Sequence, residues 1–168
     1  MLHQLLNKHQ PKEDIIAFME TNEDLFPDLV TTAVSTVKQD NWRAAWVLQS
    51  MLKKNDPRLS KHIDGIIAFL PSTEDGHQRE LLKVLYKQEL SEEQESKLFD
   101  TCITLWETLK KSPSARITAF KQIEKTIKKY PELVSEISFL LEDHYLETLS
   151  PGVKLMCLKM RKEMQQML

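Results

Sequence analysis

A short motif returns along this chain at a nearly fixed interval. Ser112-Pro113-Ser114-Ala115-Arg116 comes back as Ser150-Pro151-Gly152-Val153-Lys154, 38 positions later. Asp75-Gly76-His77-Gln78-Arg79 stands 37 positions before the first of these, and Asp40-Asn41-Trp42-Arg43 another 36 before that. Each copy opens a stretch of helical periodicity with a capping residue and then a basic residue. A period in the upper thirties is the length of one helical hairpin, and such a hairpin buries its apolar face by stacking on its neighbours. The feature constrains the architecture strongly and says nothing of an activity.

Composition agrees with one packed array. The 168 residues are 41% apolar and 29% charged, enough for a core and a solvated surface. Only three glycines occur, which argues against Gly-rich phosphate loops and tight-turned strand folds. The net charge of −2 by itself implies no nucleic acid. The start, Met1 to Lys8, has neither a long apolar run nor a small-residue cleavage site, so no signal peptide is expected. No window approaches the roughly 18 to 20 apolar residues of a membrane span. Cys102 and Cys157 stand alone in helical patterns, which predicts free thiols and a reduced, cytoplasmic setting.

Apolar residues at helical spacing predict a series of helices. Ile15, Ile16, Phe18 and Met19 mark one after Pro11. Leu29, Val30, Ala33, Val34 and Val37 mark the next, with Pro27 in its first turn. A helix is expected over 41–54, a stripe through Ile63, Ile66, Ile67 and Leu70 ended by Pro71, and a helix over 76–88. Ser91-Glu92-Glu93-Gln94 reads as a capping box opening a helix with Leu98, Cys102, Leu105, Trp106 and Leu109. The helix over 115–130 follows, then one from Pro131 through Tyr145, then one from Pro151 with Met156, Met160, Met164 and Met167. Connections are short, so successive helices are expected to be antiparallel neighbours in one continuous stack.

Helices opened in this way resemble the second helix of a HEAT repeat. Ser112-Pro113-Ser114-Ala115-Arg116 with Ala119 and Ile123 carries the likeness best, and Ser150-Pro151-Gly152-Val153-Lys154 with Cys157 repeats it with Lys for Arg. Trp42-Arg43 and Gln78-Arg79 depart from it, with Trp46 and Leu82 where a small residue is usual. The aspartate often found six residues before the Arg is absent, its places held by Val37 and Lys110. Trp42-Arg43-Ala44-Ala45-Trp46-Val47-Leu48 is also similar to a group of small bacterial HEAT-like proteins, which implies no activity. The resemblance implies an all-α fold: a right-handed α-α superhelix of about four antiparallel hairpins, HEAT- or armadillo-like, in a single domain over 1–168.

Charge is segregated by helix. The presumed second helices are basic: Arg79, Lys83 and Lys87; Arg116, Lys121, Lys125, Lys128 and Lys129; Lys154, Lys159, Arg161 and Lys162. The presumed first helices are acidic, Glu132, Glu136, Glu142, Asp143 and Glu147 having no basic companion. In HEAT arrays the second helices line the concave face, so the resemblance implies a basic concave surface. Arg43, Arg79, Lys83, Arg116, Lys121 and Lys154 are the candidate partner-binding residues. The competing reading is that facing helices pair their charges and that the repeated Arg stacks on the adjoining repeat.

Nothing points to catalysis or to a cofactor. The five histidines have no metal-site spacing, Glu142-Asp143-His144 points to different sides of a helix, and no Ser or Cys sits in a nucleophile elbow. Trp42 and Trp46 share a helix face, as a ligand platform or as packing against a neighbour. The helix after Pro151 is apolar on two sides, with Leu155 and Leu158 off its methionine stripe. The expected function is non-catalytic binding or scaffolding of a protein or peptide partner, acidic in charge. The alternative is nucleic-acid binding, by likeness of shape to HEAT-like alkylpurine DNA glycosylases. No motif here aligns with the catalytic Asp and aromatic residues of those enzymes.

Overall fold

The computed structural model describes residues 2–7, 9–37 and 39–168. Every regular element among them is helical. They are α1 (Leu2–Leu5), α2 (Lys12–Thr21), α3 (Phe26–Ala33), α4 (Asn41–Met51), α5 (Ile63–Phe69), α6 (Asp75–Tyr86), α7 (Glu92–Glu107), α8 (Pro113–Lys129), α9 (Val134–Ile137), α10 (Asp143–Leu146) and α11 (Pro151–Met167). Short 3-10 turns precede α3, α5 and α9 and follow α5 and α9. The chain separates into two compact units, Met1–Gln94 and Glu95–Leu168.

Local chemistry sets the helix starts. Ser112 accepts from the Ala115 amide at 3.3 Å with Pro113 in the first turn, so α8 begins with one donor satisfied and one removed. The capping box at α7 is reciprocal: Gln94 N donates to Ser91 Oγ at 3.3 Å and Ser91 N to Gln94 Oε1 at 3.1 Å.

In the first unit α4 packs on α3 and on α6. Ala44, Ala45, Val47 and Leu48 of α4 and Leu81, Leu82, Val84 and Leu85 of α6 are all buried. The small Ala44–Ala45 pair leaves room for a neighbouring helix. At the far end of these helices Lys87 Nζ donates to the Leu52 carbonyl at 3.0 Å and to the Gln49 carbonyl. That cation meets the orphan carbonyls of the α4 terminus. Asn55, at φ 55°, exchanges bonds of 2.9 and 2.8 Å with Glu89 and ties the same end. In the second unit Leu98, Cys102, Leu105 and Trp106 of α7 and Ala119, Phe120, Ile123 and Ile127 of α8 form the core, with the Trp106 and Phe120 rings 4.5 Å apart.

Several boundaries differ from the sequence expectation, α7 for one ending at Glu107 before Leu109, and three of the departures have a hydrogen-bonding reason. Helix α3 stops at Ala33, and Val37 lies outside it, 66% exposed. The carbonyls that would continue that helix are taken by side chains: Ala33 O accepts from His77 Nε2 at 2.6 Å and Ser35 O from Asn41 Nδ2 at 2.8 Å. Helix α4 ends at Met51 rather than 54, where Lys87 closes it. The single helix expected from Pro131 through Tyr145 is four short pieces. Its carbonyls also turn outward: Leu140 O accepts from Trp106 Nε1 at 2.6 Å, Leu141 O from Arg161 at 3.1 Å and Tyr145 O from Arg116 at 2.7 Å.

Candidate binding surface

Burial fixes a register that the motif spacing only approximates. Buried positions in α8 include Ala115, Arg116, Ala119, Phe120, Gln122 and Ile123. The same pattern is His77, Gln78, Leu81, Leu82, Val84 and Leu85 in α6, 38 positions earlier. In α4 it is Asp40, Asn41, Ala44, Ala45, Val47 and Leu48, another 37 earlier. Asn41, Gln78, Arg116 and Lys154 are thus equivalent. The first three do the same work. Each sends a side-chain N–H into a carbonyl at the end of the preceding helix: Asn41 to Ser35 O, Gln78 to Leu70 O and Arg116 to Trp106 O, all at 2.8 Å. A helix C-terminus buried by the next helix leaves such carbonyls without partners, and a long donor at one fixed position supplies them. Sequence reasoning placed Arg43 and Arg79 at this position because it looked for a charge. The recurring feature is an N–H donor, and a neutral amide provides it.

The candidate residues fall into distinct settings. Arg43 donates to the Gln10 carbonyl and stacks 5.5 Å from the Trp46 ring. Arg79 Nε and Lys83 Nζ both bond Glu80, at 2.8 and 3.1 Å, and Glu80 is only 1% exposed. These two cations neutralise a buried carboxylate. Arg116 is wholly buried. It adds bonds to Thr148 Oγ1 at 2.9 Å and Tyr145 O at 2.7 Å, and lies 4.6 Å from the Trp106 ring centroid. Burial lowers its guanidinium from the ordinary value, and its bonded partners are neutral. Lys121 is exposed and Lys154 half-buried, neither with an ion pair among the described residues.

The burial register shows a further row. Lys83, Lys121 and Lys159 sit 38 positions apart at one place in their helices, with Trp46 at that place in α4. Lys159 was missed as a candidate because the Arg motif drew attention instead. A search for any residue type recurring at 38 finds it. The Lys159 side chain is 79% exposed, with Glu163 at 3.9 Å.

Charges also pair between elements of the second unit. Lys129 and the Tyr130 hydroxyl both donate to Glu95, at 2.8 and 2.9 Å, which holds the Lys129 ammonium above its usual value. Arg161 meets Asp143 at 3.1 Å.

Trp42 and Trp46 stack with centroids 5.8 Å apart, and Trp42 is 40% exposed. Trp42 walls a cavity of about 330 Å³ that Phe69, Thr73 and His77 also line. His77 Nε2 carries the proton, since its partner is a carbonyl, and burial lowers its basicity. Cys102 and Cys157 are buried free thiols, and burial pushes Cys157 up to about 11, so both are poor nucleophiles. Glu142, Asp143 and His144 are exposed.

Among the described residues no helix is long and apolar enough to cross a membrane. No curated protein and no solved structure matches the chain. Residues 1–164 match the model of the HEAT repeat domain, a class that generally serves protein–protein interaction or scaffolding and is typically non-catalytic. The helical repeats, the donor that recurs at the start of α4, α6 and α8, and this match over nearly the whole length place the chain in the HEAT repeat family.

Proposed function

We propose that the chain is a non-catalytic binding module, one HEAT-like domain over residues 1–168, that engages an acidic protein or peptide through its second helices. The observation that supports this most is the recurrence of Lys121 and Lys159 at one register position, both solvent-facing, on α8 and α11. Lysines whose only task is to neutralise a buried acid resemble Lys83, which is held against Glu80. Lys121 has no such task. Arg43, Arg79 and Arg116 serve the fold, leaving Lys121, Lys154 and Lys159 for a ligand. Buried free thiols fit a reduced, cytoplasmic setting.

The test is binding of a fluorescent poly-glutamate peptide and of duplex DNA by the wild type and by Lys121→Glu/Lys159→Glu, at two salt concentrations. The double variant should lose peptide affinity at low salt, and the gap should close as salt rises. Equal binding by both proteins overturns the proposal. A clear preference for DNA with a steep salt slope replaces it with the nucleic-acid reading.

A further inference from the structure

Helices α8 and α11 carry the same register and differ in how much of it is covered. On α8 one flank, Arg116, Phe120, Ile123 and Ile127, is entirely buried. Its counterparts on α11, 38 positions on, are Lys154, Leu158, Arg161 and Gln165, and none is buried. Leu158 is 40% exposed, and Leu155 beside it is 70% exposed. Two leucines three apart on a helix make an apolar strip facing water, and Lys154, Lys159 and Lys162 border it.

What closes the flank of α8 identifies what fits α11. There Trp106 packs on Phe120, and the segment over 140–148 accepts bonds from Arg116 and Trp106. That segment belongs to a stretch, 130–149, with Glu132, Glu136, Glu142, Asp143 and Glu147 and no Lys or Arg. It offers apolar side chains, helix-end carbonyl oxygens that accept from side chains and negative charge. The α11 flank offers leucines, a cation at the position of Arg116 and further positive charge.

We infer that the Leu155–Leu158 flank of α11 is a docking surface for an acidic amphipathic helical segment of a partner protein. The segment lays apolar residues on the two leucines and gives carboxylates or helix-end carbonyls to Lys154. This rests on the reading of the chain as a binding module and names a second face for it, apart from Lys121.

The probe is a labelled peptide with the sequence of residues 130–149, which already suits the equivalent flank of α8. Anisotropy titrations with the full chain should show binding. Leu155→Asp/Leu158→Asp should weaken it by roughly tenfold or more, as for the loss of a central apolar anchor. Lys154→Glu should weaken it as well, and Lys121→Glu, on α8, much less. Both leucines are exposed, so unchanged circular dichroism and thermal midpoint will show that the first variant stays folded. Absence of binding, or equal binding by the leucine variant, overturns the inference. Sedimentation equilibrium covers the other occupant: self-association lost in the leucine variant means that the flank takes a second copy of this chain, and the proposal fails. Poly-glutamate binding that depends on Lys121 would survive each of these failures, so the two proposals fail separately.

Discussion

Helices α6 and α8 solve one problem with different chemistry. Both must deliver a hydrogen-bond donor to the buried end of the preceding helix. In α6 the neutral amide of Gln78 donates to Leu70 O, and its own Oε1 is buried without a partner among the described residues. In α8 the guanidinium of Arg116 makes three, to Trp106, Tyr145 and Thr148. Removing a charge from water is expensive, and a fully buried Arg is stable here because three acceptors, two of them helix-end carbonyls, replace its hydration. The contrast teaches that the repeat demands a donor at a position and not a charge. A basic residue at that position, as Arg116 shows, can be consumed by the fold.

The largest expected effect tests the shared register itself. Phe120→Ala and Ile123→Ala in α8, both fully buried, should each cost roughly 2 to 5 kcal/mol, and Leu82→Ala and Leu85→Ala in α6 should fall in the same range. Denaturant midpoints read this directly. If the α8 pair is costly and the α6 pair is silent, the two helices are not equivalent.

Next is the donor. Arg116→Met leaves three acceptors unmet, at about 1 to 3 kcal/mol for each that stays dry. Gln78→Met loses one bond and also removes the orphan Oε1, so about 1 kcal/mol or less is expected. Similar losses at the two sites in urea unfolding would refute the distinction drawn between them.

A smaller effect separates the lysines. Lys83→Glu sets a second carboxylate against buried Glu80 and should destabilise by about 1 to 3 kcal/mol. Lys121→Glu, on an exposed position, should change stability by about 0.5 kcal/mol or less. Charge reversal at Lys83 is thus a fold variant, contrary to its appearance as a surface lysine in the sequence. Thermal midpoints that do not differ would return Lys83 to the solvated face.

The smallest effect is a pH dependence to which His77 of α6 contributes. His77 occupies the place that Ala115 holds in α8. Burial lowers its pKa in the folded chain below the ordinary 6.5, with Glu74 opposing, and burial lowers that of His62 likewise. The unfolded chain then binds more protons between the folded value and 6.5, so stability is full above that window and falls as pH drops through it. Denaturant midpoints at pH values about one unit either side should show the decline, and His77→Gln should reduce it. An undiminished decline in that variant excludes His77 as its source.

Helix existence was legible along most of the chain, because each helix has an apolar stripe at its own period and most have a cap or proline at the start. The capping box at Ser91 and the proline starts of α8 and α11 were read correctly for that reason. The break-up of the Pro131 to Tyr145 stretch was not legible. Its cause lies in Trp106, Arg116 and Arg161, residues distant in sequence whose side chains compete for its carbonyls.

By itself the sequence determined the class: all-helical, repeated at about 38 residues, of HEAT type, with free thiols. These follow from local periodicity and spacing, which a chain carries without reference to its partners in space. Only the tertiary structure decided which cations are spoken for. Arg43, Arg79, Lys83 and Arg116 look alike as letters, and the fold sends them to a backbone carbonyl, a buried acid, the same acid, and two backbone carbonyls with a threonine hydroxyl. The reason is physical. A long basic side chain takes the acceptor that packing has stripped of water nearby, and which acceptors those are depends on helices far away in sequence.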